Sequence, residues 1–403
     1  MTRTTDGHAE RLKVLHLSHT AAAGGAEFAL IRMLRAGVSW RPAVLLPPTD
    51  GRGVFAQLPA HIPVRVAGVD QPAGVSAGSP MLIAEAAARL AAQAVATRLH
   101  AGFRRADLVD ANTTRAAAYG ALAAWTSPVP FVAHLRDMTH PEALGRVGFE
   151  IMRRVVLARA DGVIADTQAS LDSARPYLRS DAAAAVIPSA SGLAVRPDGG
   201  RLPAGPVTVG MLARIDPWKG QADLLEAFAL ALGDSDARLQ FAGDVYFGHE
   251  QYLASLRNRS TELGLADRVD FLGHVDDVDS VLDTWHVAVQ ASTRPEPLGQ
   301  NVLQYLAAGR AVIVADEGGP TEWVRHEANG LRAKPRDVPA LADALRRLAT
   351  DVGLRDRLAA AAARTPGLLD DAEVAASHHA FYTELVASRR RAIAARSRRA
   401  RRR

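Results

Sequence analysis

The sequence predicts an α/β protein of two domains, each wound around its own parallel β-sheet. Three observations lead there. The chain has 403 residues, more than one hydrophobic core usually serves. Short apolar runs of β type alternate with helical patterns through two separate stretches. A Gly/Pro cluster, RPDGGRLPAGP at 196–206, lies between those stretches.

In the first stretch, strands are expected at 12–17, 43–46, 64–66, 108–110, 131–134, 163–165 and 185–187, with helices at 26–35, 81–100 and 147–160. The strand runs are apolar on both faces, as strands of a parallel sheet covered by helices must be. The second stretch offers strands at 207–212, 239–242, 269–272, 287–290 and 312–315, and helices at 221–232, after His249, and at 299–308. Segments 339–348 and 353–363 read as surface helices. The division is therefore an N-terminal Rossmann-like domain over 1–196, a C-terminal one over 197–371, a terminal helix over 372–388, and a basic tail over 389–403, expected to be disordered. No short-period repeat of the solenoid kind is present.

Composition removes several function classes. The hydrophobic fraction of 48% and charged fraction of 23% belong to globular chains, not disordered ones. With no cysteine, disulfides, thiolate metal sites and cysteine nucleophiles are excluded, and a reducing cytosol fits. The net charge of +5 resembles that of a nucleic-acid binder until it is located. Nine arginines fall within 389–403, leaving 39 basic against 43 acidic residues elsewhere, so no specific nucleic-acid partner is expected. The opening MTRTTDGHAERL carries no apolar run, and the apolar stretch 81–99 is broken by Glu85 and Arg89. A cytoplasmic protein without a membrane span is the expectation.

Two loops suit phosphate. After the first strand, His19 to Glu27 carries Gly24 and Gly25 ahead of a helix, where backbone amides and the helix N-terminus favour an anion. The spacing is not G-x-G-x-x-G, so a dinucleotide oxidoreductase loses its main support, and a glycine turn of any α/β fold would look the same. After the strand at 207–212, the segment ARIDPWKG at 213–220 places Arg214 and Lys219 at the carboxyl edge of a parallel strand, where open α/β sheets bind ligands. A third segment, 294–315, presents Glu296 in a turn and opens a helix near Gly299, with free amides around Leu298, Gly299, Gln300 and Asn301.

Taken together, GGAE at 24–27, the His134 region, ARIDPWKG, FAGD at 241–244, FLGHV at 271–275, the Glu296 segment, ADEGGPTEWV at 315–324 and ANGL at 328–331 resemble glycosyltransferase family 4 along nearly the whole chain. The resemblance implies a GT-B fold, α/β, of two facing Rossmann-like domains with an interdomain cleft. It also implies retaining transfer of a sugar from a nucleotide-diphosphate sugar to a hydroxyl acceptor. No cofactor is implied beyond that donor, and no metal, because Arg214 and Lys219 would hold the diphosphate. Glu296 would accept from donor-sugar hydroxyls, Gly299 and Gln300 would support phosphate oxygens, and the backbone around Gly273 and His274 would border the base. His134, with Asp137 as a less certain neighbour, would meet donor or acceptor. A His in an apolar strand is also where a hydrogen-bonded core residue sits.

Two departures stand out. Gln304 occupies the place of the family's second glutamate, the acceptor of ribose hydroxyls, and an amide oxygen accepts them more weakly. IPSAS at 187–191 replaces a common Asn-Gly pair. The same donor-side residues would also serve a GT-B nucleotide-sugar epimerase or phosphorylase, or a nucleotide-sugar-binding protein weak in catalysis. Expected partners are a nucleotide sugar and a saccharide or lipid-linked acceptor. For the arginine tail two readings stay open: peripheral contact with an anionic inner membrane face, or a solvated terminus.

Overall fold

The computed structural model describes residues 11–48, 51–71, 80–196, 202–245 and 248–400. The chain forms two compact units, one running to Pro188 and resuming at Asp371, the other spanning Ser189–Asp370. The first boundary falls ahead of the Gly/Pro cluster, whose residues 197–201 lie outside the described residues.

The first unit holds a parallel sheet of seven strands: β1 (Lys13–Leu17), β2 (Arg41–Leu46), β3 (Val64–Val66), β4 (Leu108–Ala111), β5 (Phe131–Leu135), β6 (Gly162–Ala165) and β7 (Ala183–Val186), in the order β3-β2-β1-β4-β5-β6-β7. The second holds six: β8 (Thr208–Leu212), β9 (Arg238–Ala242), β10 (Val269–Gly273), β11 (Val287–Gln290), β12 (Ala311–Ala315) and β13 (Leu331–Ala333), in the order β10-β9-β8-β11-β12-β13. Every residue of β4, β5, β6, β11 and β12 is buried, which is why these runs show no alternation. Each sheet grows outward in both directions from a central strand. The order therefore reverses between β1 and β4 in the first and between β8 and β11 in the second, and at such a switch the loops diverge and leave a crevice.

Packing explains features that pattern alone does not. Gly210 on β8 clears space for the buried Trp285, since a Cβ there would lie 1.9 Å from the indole. The helix Thr114–Ala124 was not expected: its sequence, TRAAAYGALAA, offers no polar face, and eight of its eleven residues are buried. Strand β13, three residues long, was also not expected.

The tail differs from expectation. One helix runs from Asp371 to Ala400, so 389–400 is helical rather than disordered; residues 401–403 lie outside the described residues. Alanines and arginines are strong helix formers, and two of the arginines pair with the first unit. Arg389 reaches the buried Asp161 at 2.9 Å, and Arg390 reaches Asp107 at 3.0 Å. Further up, Phe381 and Leu385 pack over Gly162 of β6, where a Cβ would meet them at 2.9 and 3.0 Å.

Candidate functional site

In the second unit, the loop after β8 is pinned to the end of β11. Gly220 has φ +82°, and a Cβ on it would fall 1.9 Å from the Ala291 carbonyl oxygen, so only glycine permits this approach. The Thr293 amide donates to the Trp218 carbonyl at 2.8 Å. Asp216 caps the turn by accepting from the Trp218 amide. Lys219 is thereby carried across the β8/β11 switch, and its Nζ donates to Glu296 Oε1 at 2.6 Å while resting 4.0 Å from the centroid of the Trp218 ring.

Glu296 is only 6% exposed. Burial pushes its carboxyl up, but the charge and hydrogen bond of Lys219, with a hydrogen bond from Ser292 Oγ at 2.5 Å, outweigh it and leave the carboxyl below its ordinary value. Glu296 is ionised at neutral pH, an acceptor for hydroxyl groups. Its backbone is fixed from the other side: the Gly319 amide donates to the Glu296 carbonyl at 2.7 Å, and a Cβ on Gly318 or Gly319 would strike the backbone of 296–297. The glycines of the 315–324 motif are thus explained by close approach.

Arg214 takes a different position from Lys219. Its side chain is 41% exposed, with Nη2 3.7 Å from Asp216 Oδ2. Leu298 is buried, and Gly299, at φ +77°, opens the helix Gln300–Ala307. Gln300 Nε2 donates to the Ala190 carbonyl at 2.7 Å, tying down the segment that replaces the Asn-Gly pair. Gln304 is half-buried one helical turn further on. Gly273, at φ +68°, ends β10, and His274 is exposed with Nε2 3.2 Å from Asp276 Oδ1. The structure therefore joins Lys219 to Glu296 directly, while Arg214 and His274 each lie beside an aspartate of their own loop. Ser292 and Trp218, which hold the pair, were not singled out from sequence; the signal for Ser292 was its place four residues before Glu296.

In the first unit, Gly24 has a packing reason: a Cβ would lie 2.4 Å from Glu27 Oε2, and Glu27 is buried, accepting from Ser18 Oγ. Gly25 is open, with nothing within 4 Å of a Cβ.

His134 is 3% exposed, with Nε2 3.0 Å from Asp110 Oδ1 and its ring stacked on His378 of the terminal helix, centroids 5.3 Å apart. Asp110 also accepts from His16 Nδ1 at 2.9 Å, and Trp40 Nε1 donates to His16 Nε2. Because an indole N–H only donates, His16 carries its proton on Nδ1. The His134 imidazole thus lies beside a buried carboxylate and against a second ring, although its Nε2 and Asp110 Oδ1 do not meet in hydrogen-bond geometry.

Nearby strand ends carry further polar groups, of which sequence reasoning gave a role to Asp137 alone. His19 Nδ1 lies 2.8 Å from Thr113 Oγ1, spanning the β1/β4 switch. Thr114 Oγ1 donates to Asp137 Oδ2 at 2.7 Å. Arg136 Nη1 donates to Asp166 Oδ1 and Nη2 to Asn112 Oδ1, each at 2.9 Å.

Among the described residues no helix is long and apolar enough to cross a membrane, and no group of three or more His, Cys, Asp or Glu could hold a metal ion.

Residues 197–365 match the family model for glycosyl transferases group 1. The GDP-mannose-dependent alpha-(1-6)-phosphatidylinositol monomannoside mannosyltransferase of Mycobacterium tuberculosis is 34% identical over 163 residues, 38% of this chain and 40% of that protein. The lipopolysaccharide core biosynthesis glycosyltransferase LpsE of Rhizobium meliloti is 34% identical over 157 residues, 39% of this chain and 44% of that one. The chain thus spans well under half the length of these relatives. Solved structures are similar over nearly the whole chain. Anabaena HepE in complex with UDP has a TM-score of 0.77 at 27% identity, covering 93% of this chain and 100% of that one. Sucrose-phosphate synthase from Thermosynechococcus elongatus, at 19% identity, has a TM-score of 0.75 over 94% of this chain and 100% of that one, a likeness of fold. Residues 197–365 are thus similar to the glycosyl transferases group 1 family, and the two parallel α/β sheets are of the kind these GT-B structures contain.

Proposed function

We propose that the chain is a retaining, metal-independent glycosyltransferase that moves a sugar from a nucleotide-diphosphate sugar to a hydroxyl of a glycan, glycolipid or small molecule. The observation that carries this reading is the buried Lys219–Glu296 pair at the β8/β11 switch, with Arg214 on the same loop. A cation held at the carboxyl edge of the sheet suits the diphosphate, and it stabilises the negative charge that builds on the leaving nucleotide without a metal ion. Glu296, kept ionised, orients donor-sugar hydroxyls, and the helix opening at Gly299 turns its first amides toward phosphate oxygens. Gln304, one turn along, accepts from the ribose. Gly273 and His274 border the base.

The names of similar proteins give the donor class: UDP is bound in the HepE structure and GDP-mannose is used by the mycobacterial mannosyltransferase. A cytoplasmic site of action follows from this reading, and arginines beyond Arg390 that are exposed, such as Arg391 and Arg398, supply charge for an anionic membrane face. The test is an NMR time course with UDP-glucose and GDP-mannose, a panel of alkyl glycosides as acceptors, and EDTA throughout. An α-linked product formed with release of nucleoside diphosphate supports the reading. Activity only after manganese or magnesium is restored, or a β-linked product, contradicts it.

A further inference from the structure

We infer that Tyr305 is a positioning residue of the donor site: its hydroxyl bridges β8 and β11 just past the point where their pairing stops, and so sets the spacing at which Lys219 meets Glu296. Its bearing on the donor rests on the glycosyltransferase reading above. Among the described residues, the ladder between the two strands covers Val209 with Val287 and Gly210 with Ala288, although they run on to Leu212 and Gln290. Past that point the phenol oxygen stands between them. It accepts from the Leu212 amide at 2.7 Å and donates to the Val289 carbonyl at 3.3 Å. Asn301, one helical turn before Tyr305, donates its Nδ2 to the Leu212 carbonyl at 3.0 Å. The helix Gln300–Ala307 therefore grips β8 two residues before Arg214 and β11 three residues before Ser292.

A direct N–H···O=C bond of about 2.9 Å would draw the strand ends to the ordinary sheet spacing of about 4.8 Å. A hydroxyl set between donor and acceptor holds them further apart and leaves neither group unpaired, because it both accepts and donates. The tyrosine is itself fixed. It is fully buried, and its ring meets the indole of Trp285 at 64°, centroids 6.1 Å apart, while Trp285 Nε1 donates to Gln240 Oε1 of β9 at 2.8 Å. Burial raises the phenol well above its ordinary value, so it keeps the proton that it donates. The consequence falls on the ion pair. Lys219 follows the end of β8 and Glu296 the end of β11, so their 2.6 Å contact depends on the width of this gap as well as on the Thr293–Trp218 bond. Without the hydroxyl, Leu212 and Val289 either close on each other or stand unpaired, and either change shifts one loop against the other.

Tyr305→Phe keeps the ring and removes the hydroxyl alone, and Asn301→Ala, at a partly buried position, is the milder second variant. Calorimetric titration of UDP and GDP into the full-length protein, far below its melting temperature, should show affinity falling about tenfold in Tyr305→Phe and less in Asn301→Ala. The discriminating readout is a double-mutant cycle with Lys219→Met, followed in nucleotide affinity and in melting temperature. A residue that acts through the Lys219–Glu296 pair loses most of its effect once the pair is broken, so the double variant should lose clearly less than the two single losses together. A residue that only packs the core gives losses that add. Unchanged affinity in Tyr305→Phe, or additive losses in the cycle, would overturn the inference. If Tyr305→Phe does not fold, the same cycle is read with Asn301→Ala. If neither UDP nor GDP binds the wild type, the transferase reading fails, and the melting cycle alone decides whether Tyr305 sets the pair.

Discussion

Replacing Lys219 by Met removes one half of a buried ion pair and leaves the other half in place. The two side chains are 15% and 8% exposed and 2.6 Å apart, and without Lys219 the Glu296 carboxylate keeps only neutral neighbours, the Ser292 hydroxyl and the Gln290 amide. Breaking such a pair from one side costs about 3 to 5 kcal/mol, and the residual exposure of Lys219 places this one near 3 kcal/mol. For a unit the size of Ser189–Asp370, that corresponds to a fall in melting temperature of roughly 6 to 12 °C. The double variant Lys219→Met/Glu296→Gln removes the stranded charge and should regain at least half of the loss.

The sign with pH follows from the lowered carboxyl of Glu296. The stabilisation is fully present above the ordinary carboxylate value of 4.5 and is lost as pH falls through the lower folded value. The gap between wild type and Lys219→Met should therefore be full at pH 7 and close in acid. Differential scanning calorimetry across that range is the assay. Equal melting of the single and double variants, or a gap that widens toward acid, would refute the electrostatic account.

Four further outcomes follow. Gly220→Ala forces a left-handed backbone on alanine and drives its Cβ into the Ala291 carbonyl, so thermal denaturation should reveal a loss of about 2 kcal/mol or more, with donor binding impaired. His378 is buried, and its imidazole is lowered to about 3, by burial first and by His134 second. The unfolded chain binds that proton and the folded one does not, so stability falls as pH drops from 6.5 toward 3, and His378→Phe should flatten the melting profile between pH 7 and 4.5. Isothermal titration should find donor affinity modestly higher in Gln304→Glu and lower in Gln304→Leu; equal affinity in all three would remove Gln304 from the site. In sedimentation with anionic vesicles, a form ending at Arg390 keeps both ion pairs of the terminal helix, and it should bind more weakly than the full chain if the outer arginines engage the surface.

Sequence reading went furthest where one residue type answers to one physical cause. Apolar runs such as 131–134 and 312–315 became central strands because nothing but a helix-covered parallel sheet buries both faces of a strand. Lys219 and Glu296 stood out as charges beside strand ends. What was illegible depends on long-range approach. Trp218 gains its role only when the loops after β8 and β11 meet, and Gly220 is explained by its approach to Ala291. The neighbours of His134, Asp110 and His378, lie 24 and 244 residues away in sequence, and no local pattern announces a carboxylate on an adjacent strand. His19 was passed over beside the more conspicuous glycines.

The central claim is that the loop after β8 and the Glu296 segment bind a nucleotide-sugar donor without metal. Calorimetric titration of UDP and GDP into the wild type, Lys219→Met and Arg214→Ala, all in EDTA, addresses it most directly. The account predicts one-to-one binding of at least one nucleotide by the wild type and a loss of about tenfold or more in each variant. Failure of both nucleotides to bind the wild type, or equal binding by all three proteins, would contradict it.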